Sequence, residues 1–191
     1  MNCQLPLTKG QFALIDEIDR SALLAIGVWS FSSSGYAVHY QSIAAGRRTT
    51  LYMHRIVMER LLGTRIPHGY QVDHISGAID GPLARLDNRR DNLRLATRSQ
   101  NQAHKGISRN NTTQYKGVSF RQGKWEARIK YGNQRLQLGR FADPVVAAQR
   151  YDAASRLLYA DFAGCNFPNL LTVEAALAQV RAVLARYGLA A

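Results

Sequence analysis

Between Gln71 and Asn101 the chain places a carboxylate, an imidazole and two side-chain amides within about thirty residues. Asp73 and His74 are adjacent, Asn92 follows a turn-rich stretch, and Asn101 lies nine residues further on. A hard divalent cation such as Mg²⁺ takes oxygen ligands and keeps several waters, so one carboxylate and one amide oxygen suffice to hold it. A bound cation polarises a phosphodiester, and an imidazole can take a proton from the attacking water. These residue types at this spacing therefore indicate metal-assisted hydrolysis of a phosphate ester.

Two strands and a helix must bring these side chains together. The pattern predicts a strand, a long turn, an antiparallel strand and a helix, with the strands over residues 71–75 and 93–97 and the helix reaching His104. Thr97 is the predicted N-cap of that helix. Neighbouring strand residues point to opposite faces, so Asp73 and His74 aim at one phosphate only if the strand ends or bends there. Asn101, one or two turns into the helix, would then approach Asp73 across the strand pair.

This arrangement resembles the HNH nuclease family, whose ββα-metal fold carries a metal-binding Asp before the catalytic His. The resemblance implies that Asp73 and Asn101 are metal ligands, with Mg²⁺ or Mn²⁺ as the cofactor. It implies that His74 is the general base. It also implies that Asn92 is the middle residue of the motif, which fixes the turn and orients His74.

Two further features bear on this resemblance. The run Leu-Tyr-Met-His54-Arg55 is similar to the homing-endonuclease branch, and we expect His54 and Arg55 to act as support or phosphate contacts. Family members have a shorter turn than the one formed here by residues 76–85. A longer surface loop costs little free energy, but it bears on the placement of Asn92. We expect ordinary surface or packing roles for His39, His68 and His104.

The excess positive charge is concentrated in two adjacent blocks. The chain has a net charge of +12 and an isoelectric point of about 10.2. Residues 47–105 carry eleven basic and five acidic groups, and residues 107–142 carry eight and one, whereas the flanking segments are close to neutral. Such a charge predicts a polyanionic partner, either nucleic acid or an acidic membrane surface. Its concentration in two blocks indicates a binding face.

The remaining composition excludes several classes of protein. Cys3 and Cys165 lie far apart and neither forms a Cys-x-x-Cys pair, so a zinc ribbon or disulfide framework is not expected. The amino terminus lacks a signal-peptide pattern, and no run of 18 apolar residues exists. We therefore expect reduced cysteines, no membrane span and a cytoplasmic location.

Residues 115–168 form a second basic module. Alternation places Trp125, Ala127 and Ile129 on one strand face and Glu126, Arg128 and Lys130 on the other. The next strand places Leu136 and Leu138 opposite Arg135, Gln137 and Gly139. A helix with an apolar stripe is predicted to begin at Pro144 after Asp143, with the stripe made of Val145, Val146, Ala148, Tyr151, Ala154 and Leu158. One sheet face would pack on this helix, and the other would be basic, open and suited to the DNA major groove.

This module is similar to the plant ethylene-response-factor (Apetala-type) DNA-binding domain. The shared motifs are Tyr-x-Gly-Val, Gly-Lys-Trp, Leu-Gly-x-Phe and Ala-x-x-Tyr-Asp-x-Ala, in that order. The resemblance implies DNA contacts from Lys116, Arg121, Arg128, Lys130, Arg135 and Gln137. Gln137 replaces the aromatic contact of the family, so the plant recognition sequence is not expected here.

The predicted fold class is α+β. It comprises a small ββα-metal module with N-terminal strands, a three-stranded antiparallel sheet packed on one helix, and a C-terminal helix. The predicted parts are a strand-rich region over 1–46, the HNH module over 47–105, a polar linker over 106–114, the Apetala-type domain over 115–168 and a helical end over 169–191. In the first part, short apolar runs such as Leu23–Ile26 favour strands and hairpins over long helices.

These observations predict a DNA endonuclease of the homing type, associated with mobile elements, that acts on double-stranded DNA. One site per chain favours nicking by a monomer, unless the chain dimerises. The alternative is a non-catalytic DNA-binding or regulatory protein in which the nuclease module has become a scaffold. A membrane-surface protein is disfavoured because the charges lie on predicted strands and not along an amphipathic helix.

Overall fold

The computed structural model describes residues 2–78, 82–108, 110–170, 172 and 174–189. The chain forms two compact units, Met1–Arg98 and Ser99–Ala191. Helices and small antiparallel sheets occur in the same chain, so the predicted α+β class is confirmed. The finer division into five parts stays a prediction. No helix in the described ranges is long and apolar enough to cross a membrane, and the cytoplasmic location stays a prediction.

The first unit contains three small antiparallel sheets, β1–β2, β3–β4–β5 and β6–β7, together with two helices. Its elements are β1 (Asn2–Pro6), β2 (Phe12–Asp16), α1 (Glu17–Ile26), β3 (Ser30–Phe31), β4 (Ala37–Ser42), β5 (Arg48–Tyr52), α2 (Met53–Leu62), β6 (Tyr70–His74) and β7 (Leu93–Thr97). The β6–β7 pair is the strand pair that the motif predicts, and Asp73 lies opposite Arg94 in it. Helix α2 ends at Leu62 and is capped by Gly63, whose φ of 68° is a conformation that glycine adopts without strain.

One hydrophobic core joins the N-terminal segment to the HNH motif. Its buried side chains include Ile15, Leu23, Trp29, Met53, Val57, Val72 and Leu93. The first three precede residue 47, and the last two lie on the strand pair. The N-terminal segment therefore completes the core on which β6 and β7 rest, and it is not an independent arm.

The prediction that Leu23–Ile26 favours a strand is wrong, because these residues lie in α1. Asp19 and Leu23, four residues apart, are both fully buried, which is the spacing of one helix face. Glu17 and Asp19 in the first turn also suit the positive end of the helix dipole. A short apolar run fits either a strand or a helix. Here the four-residue spacing of the buried side chains fits a helix.

A buried ion cluster fixes α1 to α2 and to the turn before β7. Asp19 is fully buried, and its two carboxylate oxygens accept hydrogen bonds from Arg60 Nε at 2.8 Å and Arg90 Nε at 2.7 Å. The Asp16 carboxylate accepts from the backbone N–H of Arg90 at 2.8 Å. Two acidic residues of the N-terminal segment thus anchor the turn that carries Asn92.

The second unit contains a three-stranded antiparallel sheet in the order β10–β9–β8, packed on α4. Its elements are α3 (Arg98–His104, which begins in the first unit), β8 (Val118–Arg121), β9 (Lys124–Tyr131), β10 (Gln134–Phe141), α4 (Pro144–Tyr159) and α5 (Glu174–Ala185). Asp143 caps α4 by accepting from the Val145 N–H at 2.7 Å, as the Asp-Pro pair predicts. The predicted linker 106–114 and the predicted last helix 173–187 each include a residue outside the described ranges, 109 and 173.

Two details of this unit correct the predicted pattern. Of the predicted stripe, Ala148, Tyr151 and Ala154 are buried and Leu158 packs partly buried against the core, whereas Val145 and Val146 are exposed. Ala147 and Tyr159 complete the buried face of α4. A β-bulge between Gln137 and Gly139 shifts the register of β10, so Gly139 lies opposite Ala127 of the core and not on the basic face.

Gly117 stands where the turn into β8 passes close to α4. Its φ is 72°, and a Cβ there would lie 2.0 Å from the Tyr151 ring and 2.7 Å from the Arg128 carbonyl oxygen. The glycine of the Tyr-x-Gly-Val motif is therefore needed both for its backbone conformation and for the close packing.

Candidate functional site

His74 ends β6 and is 5% exposed. Its Nε2 lies 3.4 Å from Asn88 Oδ1. Asn88 is also buried: its Nδ2 donates to the Leu86 carbonyl at 3.0 Å, and its backbone N–H donates to the Leu14 carbonyl at 2.8 Å. These bonds assign the amide oxygen to the imidazole. Since that oxygen only accepts, the contact requires the Nε2–H tautomer and leaves the lone pair on Nδ1.

The surroundings of His74 favour the neutral base. Burial lowers the pKa of its imidazole, and this outweighs the opposing effects of the Asn88 hydrogen bond and the Asp73 and Asp87 carboxylates. Desolvation disfavours the charged imidazolium. At neutral pH the residue is therefore in the unprotonated form that a general base needs.

Two aromatic rings, those of His54 and Tyr36, pack against this imidazole. The ring centroids of His54 and Tyr36 lie 5.1 Å and 6.0 Å from that of His74, and Tyr52 packs 5.5 Å from His54. Burial, with smaller contributions from His74 and Arg55, lowers the pKa of His54 to about 3. His54 Nδ1 has no hydrogen-bond partner in the part of the chain that the structure describes. His54 packs against His74, and its supporting role stays a prediction.

Asn92 closes the long loop between the two strands. Its Oδ1 accepts from the Ser76 N–H at 3.0 Å and its Nδ2 donates to the Asp87 carbonyl at 2.8 Å. The amide thus links the two ends of the loop, whose residues 79–81 lie outside the described ranges. The hydrogen bond to the His74 ring comes from Asn88, which sequence reasoning missed. Asn88 and Asn92 stand four residues apart in one polar run, and only Asn92 was singled out.

Asp73 is buried and its Oδ2 accepts from Arg94 Nε at 2.9 Å, directly across the strand pair. Asn101 lies on α3, which begins immediately after β7. A carboxylate and an amide oxygen are suitable donors for a hard cation that keeps its waters. Within the described ranges no three His, Cys, Asp or Glu side chains gather as a metal cluster. The assignment of Asp73 and Asn101 as ligands stays a prediction.

A basic cleft lies on the open face of the second unit. It has a volume of about 610 Å³ and is lined by Arg121, Gln122, Glu126, Arg128, Arg135, Gln137, Arg140 and Tyr187. Four of the predicted DNA contacts line it, and Lys130 is exposed on β9 without lining it. Arg140 was not predicted. It lies opposite Glu126 because of the bulge in β10, whereas uninterrupted alternation would turn it to the other face.

Lys116 is placed differently from the other predicted contacts. Its Nζ donates to the carbonyl oxygens of Ala103 and Lys105 at the end of α3, and it does not line the cleft. Burial lowers the pKa of its ammonium to about 8. These bonds indicate a structural role at a helix C-terminus, where a positive charge is favourable. Arg55, by contrast, is exposed on α2 of the first unit.

The segment that carries the first site is similar to known proteins. Residues 51–103 match the HNH endonuclease family. The matched HNH segment includes His54, Asp73, His74, Asn92 and Asn101. The chain is 28% identical over 159 residues to an uncharacterized HNH endonuclease, L560, of Acanthamoeba polyphaga mimivirus. This alignment covers 83% of this chain and 76% of that protein.

Plant DNA-binding proteins form a second group of relatives. The chain is 44% identical over 80 residues to dehydration-responsive element-binding protein 2E of Oryza sativa subsp. japonica, covering 40% of this chain and 25% of that protein. It is 44% identical over 63 residues to ethylene-responsive transcription factor ERF010 of Arabidopsis thaliana, covering 31% and 34%. The chain thus spans a quarter to a third of these plant proteins. Both predicted resemblances, to HNH nucleases and to ethylene-response factors, are confirmed.

Replacing Asn88 by Ala is expected to slow DNA cleavage by about 10–100-fold, the size of effect typical of groups that orient a reacting side chain. The substitution removes the acceptor that selects the Nε2–H tautomer of His74. Single-turnover cleavage of supercoiled plasmid measures the rate, and a melting curve shows whether the fold is kept. A folded variant that cuts at the wild-type rate would contradict this role.

Proposed function

We propose that this chain is a metal-dependent DNA endonuclease of the homing type, associated with a mobile element, that nicks double-stranded DNA. Residues 47–105 would carry the hydrolysis, and residues 115–168 would direct it by binding a specific sequence. The observation that carries the proposal is the buried, neutral His74, held by Asn88 within the segment that matches HNH endonucleases.

The chain's own residues have distinct roles in this reaction. His74 takes a proton from the attacking water at Nδ1, while Asn88 holds the opposite ring nitrogen. Asp73 and Asn101 would hold Mg²⁺ or Mn²⁺. When bound, such a cation stabilises negative charge on the scissile phosphate. Arg55, exposed on α2, would contact a backbone phosphate.

The second unit would supply affinity and sequence preference. Its cleft presents four arginines and two glutamines, which can reach phosphates and base edges of double-stranded DNA. Each phosphate contact releases condensed counterions, so binding should weaken steeply as salt is raised. With one HNH motif in the chain, a monomer would cut one strand.

Metal dependence provides the direct test. Wild-type protein is expected to convert supercoiled plasmid to the nicked form with Mg²⁺ or Mn²⁺, and to lose this activity in EDTA. Asp73→Asn should weaken metal binding, so that half-maximal cleavage requires a higher metal concentration than in the wild type. Asp91→Asn, which changes an exposed carboxylate of the same module, is the matched control and should cut normally. Equal cutting in EDTA would contradict the proposal.

A second candidate function is a DNA-binding regulator without nuclease activity. The 44% identity over 80 residues to a plant protein named for binding a DNA element favours the DNA-binding part of this candidate. Tight, salt-sensitive DNA binding with no cutting under any metal condition would support this candidate over the endonuclease.

A further inference from the structure

A buried carboxylate lies in the middle of the basic cleft. Glu126, on the central strand β9, is 8% exposed and is the only acidic residue between 107 and 142. Its Oε2 accepts from Arg128 Nε at 2.8 Å and from a terminal nitrogen of the same guanidinium. Its Oε1 accepts from Gln137 Nε2 at 2.5 Å. One carboxylate therefore holds an arginine and a glutamine, side-chain types that can read guanine and adenine.

The strand register explains why these three side chains meet. Glu126 and Arg128 lie two residues apart on β9 and share a face, and Gln137 lies directly opposite Arg128 on β10. Side chains of such a pair lie close enough to touch. The carboxylate faces no competing acid in the cleft, whose other charged members are Arg121, Arg135 and Arg140.

This position of an acid is unfavourable for plain DNA affinity. A carboxylate on a face that meets phosphates repels them, and a buried carboxylate is costly unless it is paired. Glu126 instead restrains the side chains of Arg128 and Gln137 before DNA binds. These side chains therefore lose less rotamer freedom on binding. Restraint matters most for base recognition, where a planar guanidinium must meet guanine with two parallel hydrogen bonds.

The bonds to Glu126 also leave defined groups for DNA. Because Gln137 donates to the carboxylate through Nε2, its amide orientation is set, with the oxygen and the second N–H left for other partners. Those are the groups that recognise adenine. Arg128 uses its Nε–H and one terminal N–H for Glu126, and its other N–H groups are of the kind that can meet guanine.

We propose that Glu126 is a specificity-determining positioning residue, which orients Arg128 and Gln137 to read a guanine and an adenine at neighbouring base pairs. This inference rests on the proposed DNA-binding function. It predicts different effects on sequence discrimination and on non-specific affinity. Removing the charge of Glu126 lowers discrimination between DNA sequences while leaving non-specific affinity unchanged or raising it.

The test uses the full-length chain in EDTA, so that DNA is bound and not cut. Randomised duplex DNA is selected with the wild type and with Glu126→Gln, and dissociation constants are then measured on the selected duplex and on a scrambled one. For Glu126→Gln we expect loss of preference at two neighbouring positions and a specificity ratio at least about tenfold lower, the effect of losing one bidentate base contact. Binding to scrambled DNA should be equal or tighter.

Matched variants separate orientation from charge. Glu174→Gln makes the same charge change at an exposed site on α5 and should leave the ratio unchanged. Glu126→Asp keeps the charge but withdraws the carboxylate, and it should lower the ratio even if the glutamine variant does not fold. Wild-type motif and ratio in both folded Glu126 variants would overturn the inference, as would a wild type that binds DNA without preference. A wild type that does not bind DNA at all would overturn the proposed binding function as well, and plasmid cutting in Mg²⁺ tests the nuclease separately.

Discussion

Replacing His74 by Ala is expected to lower DNA cleavage by about 10²–10⁴-fold, the usual contribution of a general base. The imidazole is buried, is kept neutral mainly by that burial, and has one nitrogen held by Asn88. No described neighbour offers a ready substitute, because His54 is buried with a pKa of about 3 and packs ring against ring. Single-turnover nicking of supercoiled plasmid measures the loss.

Two controls make this result specific to the base. DNA affinity in EDTA should change little, because the basic cleft belongs to the other unit. His68→Ala, at an exposed histidine of the same unit, should cut at the wild-type rate. Partial recovery of His74→Ala by added imidazole would identify the missing group as a base. Undiminished cutting by the folded variant would remove His74 from the reaction.

Replacing Asp19 by Asn is expected to lower the free energy of unfolding by about 3–5 kcal/mol, the cost of breaking a buried ion pair from one side. The carboxylate is fully buried and pairs with Arg60 and Arg90. An amide cannot offset either guanidinium charge, and it forces an N–H₂ group against one of them. Urea unfolding of wild type and variant measures the difference.

The pH dependence of this effect has a defined sign. Burial raises the pKa of Asp19, but the hydrogen bonds from Arg90 and Arg60 outweigh it and hold the pKa below its ordinary value. Stability from such a group is fully present above the unfolded pKa of about 3.9 and is lost as the pH falls through the lower folded pKa. The difference between wild type and Asp19→Asn should therefore persist down to about pH 4 and shrink below it.

Glu17→Gln provides the comparison for Asp19. Glu17 lies on the same helix, and its ion pair with Arg20 is exposed, so its loss should cost about 0.5 kcal/mol or less. An Asp19→Asn variant as stable as Glu17→Gln would mean that the cluster does not anchor the turn before β7.

Elements with strong local signals could be predicted from the chain alone. Strand β7 has the predicted bounds, and β6 begins and ends one residue before its predicted bounds, because alternation of apolar and polar residues is a local property. Helix α4 begins at Pro144 because the proline and the Asp143 cap act within one turn. The order of the HNH residues and the positive charge of the second module could also be recognised from the sequence.

What the linear pattern left undecided depends on partners distant in the chain. Asn88 and Asn92 are both amides in one turn. Which of them reaches His74 is set by a core that includes buried side chains from the segment 5–37. The bulge that turns Arg140 toward the cleft is a property of the pairing between β9 and β10. Lys116 is drawn to the end of α3 by carbonyl groups more than ten residues away. Residue type indicates what a side chain can bond, whereas tertiary packing selects the one partner it does bond.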